Sequence, residues 1–458
     1  MWRESLVAWL LVAMIVWSLF AVGGVYVWAA APLIAGSVLL AVLAPPKPGS
    51  SPETRTLDVL LMASVGACLL QLVPLPPLVR TAVSPNADRI DAAVRLRPID
   101  AAAPWQPISV APLSTAYAIA LVLTALVFFW SARRCCARGM THRIVRQVAF
   151  AGLMAALVAI ALQARSDGTL IYGRWHAIDA GAHPFGPFVN RNHFATWVLM
   201  ACPLAAGYVS STFGHRRSSP GGRAPMVAAA VEWLGTSGAW VGAAGLVMIL
   251  ALVVSTSRSG LVGLVAALTG AAYLARHRLT SRTAAASIVA VIAVVLFVVA
   301  YANVRPLMSR LGGTLIGDTE EGRTRIWRET TRVARDFPLT GTGLGSYQTT
   351  MLTYQRTGRD RFINQAHNQY LQLLAEGGLL LAVPLALTVI AFIRLFLTRL
   401  AQDTSSSAWL RIGGGAAILA VAVQSIWETG LRIPANGLLF AAAAAVAVHR
   451  PPRGSERL

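Results

Sequence analysis

Residues 362–378 read FINQAHNQYLQLLAEGG, a polar run that closes a long loop and leads into an apolar helix, with His367 at its centre. Asn364 is placed to cap a helix on which His367, Tyr370, Leu371 and Leu374 share one face, and Gly377-Gly378 releases it into the next apolar segment. Most histidines on such a face are simply packed and hydrogen-bonded. Here the position, beneath an arginine-rich loop, favours a functional one, because imidazole is the side chain best suited to take up a proton near neutral pH.

The context of that stretch is a membrane. The chain has 458 residues, of which 56% are hydrophobic and only 13% charged, and its mean hydropathy is +0.60. This is too apolar for a soluble domain. Windows apolar enough to span recur at 5–23, 24–44, 58–75, 112–131, 144–164, 193–211, 236–256, 259–275, 283–302, 378–398, 408–427 and 434–448, about twelve in all. The expected fold is therefore an all-α polytopic membrane protein with a large helical extramembrane loop. Three parts follow: residues 1–302 with nine spans, the loop 303–377 carrying His367, and residues 378–458 with three spans and a tail.

Positive charge in short loops marks the cytoplasmic side. The segments 133–146 (RRCCARGMTHRIVR), 216–223, 276–282 and 450–457 fall on one side if every window spans, so both termini are expected in the cytoplasm and the loop 303–377 outside. A second apolar window follows the first at once, which favours an uncleaved helix over a signal peptide. Lys47 is the sole lysine, so part of the arginine excess reflects composition rather than function. Cys68, Cys135, Cys136 and Cys202 lie in spans or a cytoplasmic loop and lack metal-ligand spacing. Neither a metal nor a nucleic acid is expected as a partner.

Taken in order, residues 1–75 give three spans and a Pro/Ser-rich linker, PPKPGSSPETRT. Segment 76–111, with Asp88, Arg89, Asp91, Arg95 and Arg97, reads as a surface loop or a short helix on the bilayer. Segment 165–192 leads into RWHAIDAGAHPFGPFVNRNHFATW, with His176, Asp179, His183 and His193. Gly186-Pro187 makes a turn there, and Asn190 or Asn192 caps the next helix. Arg191 stands at the positive end of that helix, suited to phosphate; the alternative is an interfacial arginine reaching for headgroups.

VVSTSRSGLVGL (253–264) places Arg258 in a tight hairpin among Ser255, Thr256, Ser257 and Ser259. A guanidinium near the membrane core needs a partner, either a substrate or an acid such as Glu428. In the large loop, Asp318 and Glu321 fit a capping box, and Ile326, Thr330, Val333 and Phe337 form an apolar stripe that Pro338 ends. Arg325, Arg328, Arg332 and Arg335 occupy another face, and Arg325 is spaced to pair with Glu321 or Glu329. GTGLGSY (341–347) lacks the lysine and context of a phosphate loop and reads as a turn. In SIWETGLRIPANGLLF, Glu428 and Arg432 stand four residues apart and are expected to pair with each other, or Glu428 with a buried arginine.

FVNRNHFATW, STSRSGLVGL, GRTRIWRETTRVARDFPLTGTGLGSY, AHNQYLQLLAEGGL and LRIPANGLLF, in this order, resemble the O-antigen ligase and polymerase superfamily over roughly residues 140–445. The resemblance implies a GT-C-like, metal-independent glycosyltransferase using a glycan on undecaprenyl pyrophosphate. It implies His367 as the base and Arg191 and Arg258 as the pyrophosphate-binding arginines. Arg323 and Arg432 are further phosphate candidates, and Glu428, His193 and Asn368 complete the candidate set. A direct displacement inverts the anomeric centre. The favoured acceptor is lipid A-core, because of the many arginines on the outer side. A second lipid-linked repeat (polymerase) or a protein hydroxyl (protein O-glycosylation) remains open. A transporter or flippase is the alternative of another class, but charge here gathers in loops rather than at mid-span. The expected location is the bacterial inner membrane, with the site facing the periplasm.

Overall fold

A computed structural model describes residues 2–45, 49, 51–95, 105–165, 170–178, 182–217, 236–281, 285, 289, 292–294, 296, 300, 320–356 and 362–450. Its helices in chain order are α1 Trp2–Phe20, α2 Val27–Leu43, α3 Pro52–Leu70, α4 Pro77–Val83, α5 Ala87–Arg95, α6 Pro112–Cys135, α7 Thr141–Gln163 and α8 Arg191–Arg217. They continue with α9 Ser237–Val254, α10 Arg258–Ala275, α11 Glu320–Asp336, α12 Tyr347–Tyr354, α13 Gln369–Gln402, α14 Ala408–Gln424 and α15 Pro434–Val448. Two two-residue antiparallel ladders, Pro74–Leu75 with Gln106–Pro107 and Leu170–Ile171 with Trp175–His176, pin the loops beside them.

Among the described residues, six helical runs are long and apolar enough to cross a bilayer, and α2, α14 and α15 are shorter apolar helices. One of the six, Pro112–Gln163, combines α6 and α7 across a break at Gly139 (φ 85°), and each half is itself of spanning length. The expected span at 283–302 falls largely outside the described residues, as do Lys47, Arg97, Asp179, Asp318 and the side chain of Glu321. The chain is a multi-pass, all-α membrane protein. On α13, Leu379, Val383, Leu387, Ile390 and Ile393 stay exposed along its length, a surface suited to lipid rather than water.

The middle of the bundle is α8, whose apolar stretch is 83% buried against 22% for α13. It packs on α7, α9, α10, α14 and α15. Small residues make this possible, since lipid offers no hydrophobic push between helices and close backbone packing must hold them. A Cβ at Gly207 of α8 would lie 2.5 Å from the carbonyl oxygen of Trp409, and one at Gly413 of α14 2.4 Å from that of Pro203.

The extramembrane elements form a second core of Ala87, Ile90, Val110, Val333, Phe337, Tyr347 and Met351. Segment 76–111 is thus no free surface loop. Arg80, 2% exposed, binds Asp88 and Asp91 of α5 and donates to the Pro107 carbonyl at 2.9 Å, while Ala87 and Ile90 face α11 and α12. The glycine-rich loop 341–346 joins this unit to the bundle. Gly341, Gly343 and Gly345 all have positive φ. Thr342 N donates to Ala375 O (3.0 Å), Gly343 N to Glu376 O (2.9 Å), and the Gln71 side chain to Thr340 O and Glu376 O (2.9 and 2.8 Å). The loop's backbone donors are spent on α13 and on the end of α3, so it is a structural latch.

Candidate active site

Four backbone segments meet at one end of the bundle: the start of α8, the α9–α10 turn, the stretch before α13 and the α14–α15 connection. The start of α8 is set by Asn190, whose Oδ1 accepts from Asn192 N at 2.8 Å while its carbonyl receives Phe194 N. The turn before it has the expected form, with Gly186 at φ 56° and Phe185 and Phe188 exchanging backbone bonds. His176 and His183 are exposed.

The α9–α10 connection is only three residues long, with Thr256 in the left-handed region (φ 56°) and Ser257 capping α10 through Gly260 N (3.2 Å). Arg191 Nη1 donates to Thr256 Oγ1 at 2.9 Å, so both arginines of the expected pair sit on one turn. Arg258 departs from expectation in its environment. Its side chain is exposed rather than held near the membrane core, and no acid pairs with it among the described residues. The first residue of a helix that follows a sharp turn projects outward, which removes the need for a buried partner.

His367 also sits differently from the sequence reading. It is not on the helix: it precedes it in the left-handed region (φ 48°), and the cap is Asn368, whose Oδ1 accepts from Leu371 N at 2.9 Å. Asn364 does not cap. The physical reason lies in what claims the backbone on either side of it: Gln372 Oε1 accepts from Ala366 N (2.9 Å), Trp327 Nε1 donates to Ala366 O (2.9 Å) and Gln369 N to Ser425 O (2.9 Å), folding the chain back before the helix begins.

Glu428 is the hub, with a side chain 1% exposed. Its Oε1 accepts from Asn192 Nδ2 at 2.6 Å and from Arg323 Nη2 at 2.8 Å, and its Oε2 faces His367 Nδ1 at 3.8 Å. Asn192 Oδ1 in turn accepts from Ser257 Oγ at 2.7 Å. Hydrogen bonds therefore join Glu428 to the arginine-bearing turn, with His367 facing Glu428 across a gap of 3.8 Å. Of the two pairings open to Glu428, the one with Arg432 does not form, and Glu428 takes another arginine, Arg323. Arg432 instead binds Glu376, which is fully buried at the start of α13 and also accepts from Tyr347 N and Gln372 Nε2, each at 3.2 Å. The short helical turn 430–432 aims Arg432 towards α13 and away from its sequence neighbour. His193 is 6% exposed, and neither ring nitrogen has a hydrogen-bond partner.

The reading of spacing missed three participants. Asn192 bridges Glu428 and Ser257, Glu376 holds Arg432, and Gln71 ties the glycine loop to α13. Glu376 alone had a legible signal, as a lone acid in an otherwise apolar helix start.

The stretch in which α9, α10, α11, the latch, His367 and the first half of α13 lie is also the stretch that comparison recognises. Residues 243–386 match the family described as O-antigen ligase. This match, over less than half of the chain, supports the resemblance to the O-antigen ligase/polymerase superfamily. Within the matched O-antigen ligase segment fall Arg258, Arg323, His367, Asn368 and Glu376; Arg191, His193, Glu428 and Arg432 lie outside it and are brought to it by the fold. Comparison with curated proteins finds no match.

Proposed function

We propose that the chain is an O-antigen ligase-type glycosyltransferase, moving a glycan from undecaprenyl pyrophosphate to lipid A-core at the periplasmic face of the bacterial inner membrane. Both chain ends then lie in the cytoplasm. The observation that carries the reading is the path from His367 through Glu428 and Asn192 to the Arg191–Thr256 contact. It links a base to the turn that carries the cationic groups.

His367 presents Nδ1 to Glu428, which leaves Nε2 on the far side of the ring for the acceptor hydroxyl. A carboxyl group against Nδ1 favours the tautomer protonated there, so Nε2 keeps the lone pair that takes the acceptor proton. The acceptor oxygen bonds to the anomeric carbon as the carbon–phosphate oxygen bond breaks, and the pyrophosphate departs with that electron pair. Attack from the face opposite the leaving group inverts the centre. Arg191 and Arg258 bind the pyrophosphate oxygens, which guanidinium forks match, and so stabilise charge as it develops. Arg323 is held by Glu428, the same carboxylate that faces His367. Asn368 positions His367 by fixing the helix start, and His193 lines the buried floor beneath Glu428. Arg432 serves architecture through Glu376.

The test is transfer of glycan from an undecaprenyl pyrophosphate donor to purified lipid A-core in detergent with EDTA, for the native protein and His367→Asn. Product from the native protein alone supports the assignment. Lengthening of repeats on the carrier with no lipid A-core product shows a polymerase, glycan on a protein hydroxyl shows protein O-glycosylation, and equal transfer by both proteins refutes His367 as base.

A further inference from the structure

The end of the bundle remote from His367 carries a second concave site. From Gln369 to Arg399, α13 runs about 45 Å at about 1.5 Å per residue, so its last turn lies at the other face. Two adjoining cavities of about 220 and 420 Å³ open there, sharing Ala44, Pro45 and Arg134. Their walls are helix ends: α1, α2, α6 and the residues that follow α6, with α13 and Arg450 beyond α15.

Six arginines line the two cavities: Arg3, Arg133, Arg134, Arg138, Arg399 and Arg450. Arg133 and Arg138 each form an ion pair with a described carboxylate, and the exposed Glu53 carboxylate acts electrostatically on Arg399 and Arg450. Arg133 forks onto Asp58 at 2.9 and 2.8 Å, and Arg138 meets Glu4 at 2.5 Å. Asp58 is then used up, since it also accepts from Trp130 Nε1 and Gly49 N at 2.9 and 3.0 Å. Arg399 reaches only the hydroxyls of Ser51 and Thr54, at 3.5 and 3.4 Å, and Arg134 forms no ion pair with a described residue. Among the described residues the six arginines outnumber the carboxylates of Asp58, Glu4 and Glu53, and the excess of like charge in a partly enclosed space favours a bound anion.

The larger cavity has apolar groups in its lining, Val7, Val42 and Leu43, and Val42, 73% exposed, carries this apolar side out onto the open face of α2. A ligand fitting both halves has a phosphate at one end and hydrocarbon at the other. Basic pockets between spans at a membrane surface bind lipid headgroups through this combination. We propose that this cleft binds the phosphate of an anionic phospholipid, with Arg134 and Arg399 as its ligands and an acyl chain along Val7, Val42 and Leu43. The site takes no part in glycan transfer, so either reading stands if the other fails.

The probe is native mass spectrometry of the delipidated full-length protein in neutral detergent, titrated with phosphatidylglycerol, with phosphatidylcholine and with inorganic phosphate. The native protein is expected to retain one phosphatidylglycerol saturably and phosphatidylcholine far more weakly. Arg134→Gln with Arg399→Gln is expected to weaken retention roughly tenfold, the equivalent of losing one charge-assisted hydrogen bond, while Arg134→Lys with Arg399→Lys keeps most of it. If the double glutamine variant does not elute as a folded species, Arg399→Gln alone gives the comparison. Equal retention of both lipids, unchanged retention in the glutamine variant, or no retention overturns the proposal. Displacement by inorganic phosphate at similar concentration overturns the lipid and marks a soluble phosphate site instead.

Discussion

His367 Nδ1 lies 3.8 Å from Glu428 Oε2, and neither atom has another hydrogen-bond partner. Two unsatisfied polar atoms that face each other inside a protein are costly unless they close into a bond when the site is filled. Substrate binding is expected to draw them together.

A variant at each end of this contact separates base from orienting group. His367→Asn is expected to lower turnover by about 10²–10⁴-fold, the usual contribution of general base catalysis, with donor binding little changed. Glu428→Gln is expected to lower turnover less. Single-turnover glycan transfer checks both.

The backbone at His367 predicts an order of stability among its replacements. Its φ of 48° is strained for most residues, but asparagine tolerates it. Thermal unfolding in detergent is expected to place His367→Asn near the native protein and His367→Val about 1–2 kcal/mol below it.

Arg432 and Glu376 test the latch. Truncating Arg432 to alanine leaves a carboxyl with 1% exposure deprived of its cation, an expected loss of about 3–5 kcal/mol. Replacing both partners by leucine and methionine is expected to recover most of it. Chemical denaturation of the three variants decides whether the pair is architectural.

Gly378 has φ 52° and ψ −160°, a conformation essentially restricted to glycine, and a Cβ there would meet Gly341 N at 2.5 Å. Gly378→Ala is expected to destabilise by about 1–3 kcal/mol or more and to loosen the extramembrane unit from α13. Limited proteolysis within residues 320–365 reads out the loosening.

Just past the end of α15, burial and the nearby Arg411 hold His449 below the ordinary imidazole range, at about 4. The unfolded chain takes up this proton near pH 6.5, well before the folded one. The resulting stability is full above about pH 6.5 and is lost as pH falls from there towards 4. His449→Gln is expected to flatten that part of the melting-temperature profile, measured between pH 4 and 8.

The sequence alone carried the membrane class, the large polar loop, the Asn190-capped helix start and the motifs around Arg191, Arg258 and His367, because hydropathy, caps and turn residues are local properties. Tertiary structure alone decided who pairs with whom. Glu428 chose Arg323 and Asn192 over Arg432, four residues away; Arg432 found Glu376, 56 positions off; and Arg258 faced outward with no acid paired to it among the described residues. His367 left the helix predicted for it because Trp327, Gln372 and Ser425, from three other places in the chain, claim the backbone around it. Helical spacing specifies which side chains share a face of one helix, whereas buried charges choose partners by direction and desolvation across helices, and those distances exist only once the bundle has packed.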